Sequence, residues 1–280
     1  MDYIGVTATL FDEQSGGIFI ALLAELGFES FEEQGKTVKA YIPEGEYDEN
    51  ALFRTIRDYP DLAVSVKTER IMQENWNEVW ESNFSMVEIA GRCVIFAPFH
   101  KNVPDLPYRI CIMPQMSFGT GHHETTSLMA EMMLQLDLAG LNVLDMGCGT
   151  GILAILAHRK GAGKVTAIDI DEWAYKNAGE NCSHNNITNI EILHGGSELL
   201  PGKMFDVIFA NINRNILLRD ISVYARCLRQ GGLLQLSGFY APDLDDISKE
   251  AEKNGFGYVR HLTKKDWVAA LFRKQTSIEN

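Results

Sequence analysis

The sequence predicts an α/β chain, with a doubly wound, mostly parallel sheet in its larger part and a small ferredoxin-like α+β domain in front of it. Three observations carry that expectation. Helical and strand-like patterns alternate from about Thr125 onward; a glycine-rich turn, Gly147 to Gly151, joins one of those strands to a helix; and residues 1–69 run in the order βαββαβ. With 280 residues there is room for two domains, and 46% hydrophobic with 22% charged content is that of a globular protein with a packed core. The expected boundaries are 1–69 for the front domain, 70–84 for a linker helix and 85–280 for the sheet domain.

The front domain opens with strand Tyr3 to Leu10 and an apolar helix Gly17 to Leu26, which ends at Gly27, where a left-handed cap is easily made. Phe28 to Glu33 and Thr37 to Ile42 flank a Gln34-Gly35 turn, and helix Glu49 to Asp58 and the alternating strand Leu62 to Thr68 complete the unit. In RIMQENWNEVWESN, Trp76 and Trp80 stand four apart on one face of a connecting helix and pack against a neighbouring domain. Short strands at Met86 to Ile89, Cys93 to Phe96 and Tyr108 to Met113, with the proline-bearing loop APFHKNVPDLP among them, flank the entrance of the second domain. The alternating series then runs helix to Leu136, strand Asn142 to Asp145, helix Gly151 to Arg159, strand Lys164 to Asp169, helix Glu172 to Asn185 and strand Ile190 to His194. Strands Phe205 to Ala210 and Leu233 to Ser237 continue it.

A formal charge of −13 with no lysine- or arginine-rich run removes the electrostatic drive for binding naked DNA or RNA, so no direct nucleic-acid contact is expected. An acidic surface keeps a chain soluble and also favours encounter with a basic protein. The five cysteines are odd in number, widely spaced and never in a C-x-x-C pair, which argues against disulfide frameworks and zinc sites. The start MDYIGVTATLFDEQSG has neither a basic region nor an apolar one behind it, and no apolar run approaches the roughly 20 residues that span a bilayer. A cytoplasmic protein with no membrane contact is expected.

The chemistry concentrates around NVLDMGCGTGILAI. Gly147, Gly149 and Gly151 allow positive φ and leave no side chain between backbone and ligand, so a cofactor can lie against the turn and the helix start. Their spacing is G-x-G-x-G, not the G-x-G-x-x-G of dinucleotide sites, and Asp145 places a carboxylate at the strand end. A carboxylate repels phosphate and suits a cation; S-adenosylmethionine carries a sulfonium and an ammonium and no phosphate. Asp169, at the end of the next strand, stands where a ribose is held by its hydroxyls, while Asp171 caps the following helix. Asn211, at another strand's carboxyl end, faces the crevice; it is followed by Ile212-Asn213 and not by the prolines and aromatic residue of an N-P-P-Y motif, which favours a basic amine over a planar base or amide. Upstream, MSFGTGHHETTSLM reads as a loop with a helix starting at Thr125 or Thr126. Phe118, His122 and His123 are candidates for positioning a substrate; no third ligand stands at metal spacing beside the histidines, so no metal is expected.

Taken together, FGTGHHETT, LDMGCGTGILAI and FANIN resemble the FGTGTHPTT, D-x-G-C-G-[ST]-G-I-L-[AS]-I and ANI segments of the methyltransferases of large-subunit ribosomal protein eleven, the PrmA type. The terminal DWVAALFRK is similar as well. The resemblance implies a class I, Rossmann-like methyltransferase sheet that uses S-adenosylmethionine, with a front domain that recognises the basic ribosomal protein. It places cofactor contacts on Thr126, Gly147, Asp169 and Asn211. The chain departs from the pattern at His122, where the family has Thr, and at Glu124, where it has Pro.

The expected reaction is in-line attack of an amine on a sulfonium methyl, governed mainly by geometry. Neutralising a lysine of pKa about 10.4 costs roughly 4–5 kcal/mol at pH 7, against about 1 kcal/mol for an α-amine. No side chain declares itself a general base, so the expectation is that the cavity lowers the amine pKa while Asn211, with backbone carbonyls, orients it. Two other readings stand beside this one: methyl transfer to a small-molecule or tRNA nitrogen, and a non-catalytic domain that uses cofactor binding for regulation.

Overall fold

The computed structural model describes residues 2–72, 84–114 and 118–276, which form two compact units, Met1–Asn83 and Phe84–Asn280. Of the linker helix expected over residues 70–84, Arg70 and Ile71 instead continue a strand, and residues 73–83, with Trp76 and Trp80, lie outside the described residues.

The first unit runs β1 (Tyr3–Leu10), α1 (Gly16–Glu25), β2 (Ser30–Gln34), β3 (Thr37–Pro43), α2 (Glu49–Asp58) and β4 (Ala63–Ile71), the βαββαβ succession read from the sequence. Its strands lie in the order β2-β3-β1-β4, with β1 antiparallel to both neighbours. Alternation in β1 turns Val6, Ala8 and Leu10 into a core shared with Phe19, Leu23 and Leu52, all of them buried. Local chemistry fixes the joints. Gly27 takes the left-handed φ of +93° after α1, Gly35 turns the β2–β3 hairpin at +57°, and the Asp48 carboxylate accepts from the Asn50 and Ala51 amides to start α2.

The second unit begins with a small sheet, β5 (Val87–Ile89), β6 (Cys93–Phe96) and β7 (Tyr108–Cys111). Then come α3 (Glu124–Leu134), β8 (Asn142–Met146), α4 (Ile152–Arg159), β9 (Lys164–Asp169), α5 (Glu172–His184), β10 (Ile190–His194), β11 (Phe205–Asn211), α6 (Arg214–Cys227), β12 (Leu228–Tyr240), α7 (Leu244–Lys253), β13 (Phe256–Lys264) and β14 (Trp267–Lys274). The sheet order is β10-β9-β8-β11-β12-β14-β13: five parallel strands, then an antiparallel pair at one edge. The expected series ran to Ser237 without a helix between its last two strands; α6 fills that gap, and α7 and the edge pair extend the series. β13 alternates poorly and only Phe256 is fully inside, as an edge strand allows, which is why it did not read as a strand.

Val207 to Ala210 of β11 form an apolar run because both faces are covered there: Val207 and Phe209 enter one core with Val143, Ile208 and Ala210 another with Leu144 and Met146. From β8 the chain winds one way to β9 and β10, then crosses to β11 on the other side. The switch point therefore falls between β8 and β11, whose ends are paired with Met146 opposite Ala210. An open α/β sheet has its crevice there, at the carboxyl ends of the strands.

Candidate active site

Three glycines follow β8 with φ of +71°, +53° and +78° (Gly147, Gly149, Gly151), and each is glycine for its own reason. A Cβ on Gly147 would lie 2.1 Å from Ile212 Cγ2, and one on Gly149 would lie 2.2 Å from the Phe118 carbonyl oxygen. Gly151 is the N-cap residue of α4 and packs on α5, where a Cβ would meet that of Ala178 at 3.2 Å. The turn is tied to β9 by the Gly147 and Cys148 amides, which both donate to the Ile168 carbonyl. The Gly149 amide donates to Asp169 Oδ2 at 2.8 Å.

A cleft of about 540 Å³ opens at this switch point, and Gly147, Gly149, Asp169, Asn211, Phe118 and His123 line it. The sequence singled out all six. Asp169 also accepts from the Asp171 amide through Oδ1, so main-chain donors hold both carboxylate oxygens and each keeps capacity for a second bond. Asp171 caps α5 as expected, accepting from Trp173 and Ala174. Asn211 Nδ2 stands 3.5 Å from Thr126 Oγ1, while its Oδ1 is buried with no hydrogen-bond partner among the described residues. That oxygen is an acceptor awaiting a donor.

The other candidates lie elsewhere. Asp145 is 0% exposed and does not line the cleft; it sits beneath the turn, where Oδ2 accepts from the Ala154 amide at 3.0 Å in the first turn of α4. Desolvation, with a smaller push from Asp169, raises its pKa to about 7. The expected carboxylate at the mouth is thus supplied by Asp169, because the side chain at position 145 points between sheet and helix. Gly151 likewise shapes α4 and not the cleft wall, and buried Thr126 stands behind Asn211. His122 turns away, its ring 4.6 Å from that of Phe84 and Nε2 3.4 Å from Ser85 Oγ. Nor is Thr125 or Thr126 the cap of α3: His123 holds that position, and its Nδ1 accepts from the Thr125 amide.

Sequence reasoning missed four contributors. Trp267 lines the cleft opposite the glycine turn and its ring meets His123 at 4.9 Å; His123 meets Phe118 at 5.0 Å, and Tyr240 covers Trp267 at 4.0 Å. The segment DWVAALFRK was visible, but nothing in its period said that Trp267 faces a cleft. Gly238, at φ +96°, leaves room for the Ile212 carbonyl, which a Cβ would approach to 2.2 Å; Ile212 is thereby seated between Gly147 and Gly238. Thr150, 0% exposed, laces the upstream loop to the turn through its hydroxyl, which donates to the Gly119 carbonyl at 2.6 Å. Behind this wall Lys265 pairs with Glu124.

The five cysteines are all free and buried, and burial pushes Cys93 up to about 12 and Cys182 to about 11, so these two are held as thiols. Acidic groups dominate the charged lining. Asp169 and Asp171 stand there with Asp220, and the one arginine present, Arg219, is paired to Asp220 at 2.7 and 3.1 Å. Such a cleft suits a cation and not a phosphate.

A five-stranded parallel run with a glycine turn at its switch point, an acidic residue one strand on and an asparagine at the end of the facing strand define a class I methyltransferase. A crystal structure of a 16S rRNA N2 G1207 methyltransferase from T. thermophilus shares this fold, with a TM-score of 0.50 and 21% identity over 57% of this chain and 45% of that one. More particularly, the chain belongs to the ribosomal protein L11 methyltransferase (PrmA) family, whose model matches residues 6–275. A protein of Phocaeicola vulgatus named Ribosomal protein L11 methyltransferase is 46% identical over 278 residues, 97% of this chain and 99% of that protein. A Porphyromonas gingivalis protein of the same name is 47% identical over 264 residues, 93% and 91% of the two chains. Among solved structures, ribosomal protein L11 methylase from Lactobacillus delbrueckii subsp. bulgaricus aligns with a TM-score of 0.65 and 27% identity, covering 69% of this chain and all of that one.

Proposed function

We propose that the protein methylates amines of ribosomal protein L11, lysine side chains and/or the N-terminus, using S-adenosylmethionine, and that it does so in the cytoplasm. The observation that carries this reading is the unpartnered Asn211 Oδ1 at the edge of an acidic cleft floored by bare glycine backbone. When bound, S-adenosylmethionine supplies an electrophilic methyl group on a sulfonium centre.

Gly147 and Gly149 let the ligand lie against main chain, and Asp169 accepts from its ribose hydroxyls with the lone pairs that Gly149 and Asp171 leave free. Asn211 Oδ1 accepts an N–H of the incoming amine, which turns the nitrogen lone pair toward the reacting carbon. Thr126 holds the Asn211 amide from behind. Phe118, His123 and Trp267 form a wall of rings that takes the amine out of water and disfavours its ammonium form, against the opposite pull of the cleft carboxylates; with no dedicated base, the amine gives its proton to solvent before it meets Asn211. Recognition of L11 is assigned to the front domain: residues 1–69 carry 14 acidic and 5 basic side chains, a charge complementary to a basic ribosomal protein.

Incubation with labelled S-adenosylmethionine, purified ribosomal proteins and total RNA, followed by peptide mapping, tests the reading. Label confined to amines of L11 supports it; label in tRNA, in small molecules or in another protein overturns the target. An Asn211→Ala enzyme is expected to lose roughly 10²-fold in kcat, and full rate with full cofactor affinity in that variant would remove Asn211 from the mechanism.

A further inference from the structure

Gly149 and Thr150 stand between the cofactor side of the cleft and its acceptor side, and they bond in both directions. The Gly149 amide donates to Asp169 Oδ2 at 2.8 Å. One residue on, the Thr150 amide donates to the Phe118 carbonyl at 2.9 Å and its hydroxyl to the Gly119 carbonyl at 2.6 Å. The Thr150 carbonyl accepts from Asn181 Nδ2 at 3.0 Å, which anchors the dipeptide on α5. Thr150 is 0% exposed, and its bonds to Gly119 and Asn181 are buried. The fit has no slack either: a Cβ on Gly149 would lie 2.2 Å from the Phe118 oxygen, and one on Gly119 would lie 2.9 Å from Thr150 Oγ1.

We infer that Thr150 is a positioning residue that couples the two sides through its hydroxyl, so that engagement of Asp169 by the cofactor steadies Gly119 and with it residues 118–123 of the acceptor wall. Each bond in the chain is short, and the path from Asp169 to Gly119 crosses only two residues. Phe118 itself is 53% exposed, and the Thr150 amide holds its carbonyl against the turn. Binding energy spent at Asp169 therefore shows as order in residues 118–123, and acceptor binding follows cofactor binding. The inference rests on the proposed methyl transfer only for the identity of the two ligands.

Thr150→Val keeps the buried shape and the amide bond to Phe118 but removes the hydroxyl, leaving the Gly119 carbonyl unpaired; Thr150→Ser restores it. S-adenosylhomocysteine serves as the probe, with hydrogen–deuterium exchange of the peptide spanning Gly119 to Thr125 and calorimetric affinity as readouts. On adding the probe, exchange is expected to slow about tenfold in the parent and in Thr150→Ser and less than about twofold in Thr150→Val, with probe affinity within about threefold in all. The KM for L11 should rise about tenfold in Thr150→Val. Undiminished protection in Thr150→Val, or a loss of probe affinity that matches the loss of protection, overturns the coupling. Thr150→Ala repeats the measurement if valine is not accommodated. A parent enzyme that binds the probe yet never methylates L11 defeats the proposed function, while the exchange data still decide the role of Thr150.

Discussion

On one side of the cleft, Gly147 and Gly149 present bare backbone, and two main-chain amides fix the Asp169 carboxylate. On the other, Phe118, His123 and Trp267 meet ring against ring, with Tyr240 outside them and the Glu124–Lys265 pair behind. The first wall is bare main chain in tight contact, with the Phe118 carbonyl at Gly149 and with the Ile212 side chain at Gly147. The second is side chains on side chains, whose shape can be retuned one residue at a time. A ligand of fixed shape can be met by the first kind of surface, whereas the second kind can be adjusted to a protein substrate.

The harshest way to break that contrast is Gly149→Ala, which drives a Cβ against the Phe118 carbonyl. Loss of at least about 10³-fold in kcat/KM is expected, with cofactor affinity falling alongside, because the backbone shift needed exceeds what a tight site tolerates. Trp267→Leu tests the softer wall. It should raise the KM for L11 about tenfold while the calorimetric affinity for S-adenosylhomocysteine stays within about twofold.

Beneath the first wall, Asp145 provides a pH test. Burial holds its pKa at about 7, against 3.8 for the ordinary group, so the folded state binds the extra proton between those values. Stability attributable to this group therefore falls as pH rises from about 4 to about 7, and the full cost of the buried charge is present above that. Asp145→Asn abolishes the titration, and its melting temperature relative to the parent is expected to climb by several degrees from pH 5 to pH 8. A pH-independent difference would show that the carboxyl titrates normally. The smallest effect belongs to Glu124→Gln. Lys265 is largely exposed, and a surface pair contributes about 0–1 kcal/mol, so kcat/KM should change less than about threefold and lose some salt sensitivity.

The hard wall was also the legible one. Glycine spacing, the acidic residue one strand on and the asparagine at a strand end are local signals, and Gly147, Gly149, Asp169 and Asn211 were placed at the cleft from them. Where burial decides, local signals failed: nothing in LDMGCG says that the Asp145 side chain enters the space under α4 while Asp169 stays at the surface of the cleft. Trp267 and Gly238 were missed for a different reason, since their roles depend on an antiparallel edge and a crossover that bring the last third of the chain back to the turn. His122 and His123 were indistinguishable as neighbours; the helix start sends one ring into the cleft and the other toward Ser85.

Ile212 connects two positions far apart in the chain, and their defects should differ in whether they can be repaired. A Cβ at Gly147 collides with the tip of the Ile212 side chain, whereas one at Gly238 collides with the Ile212 backbone. In a genetic selection, Gly147→Ala should acquire Ile212→Ala or Ile212→Gly as a second-site suppressor, and Gly238→Ala should find no suppressor at that position. The two glycines look alike in sequence, but only one of them leaves an evolutionary way back.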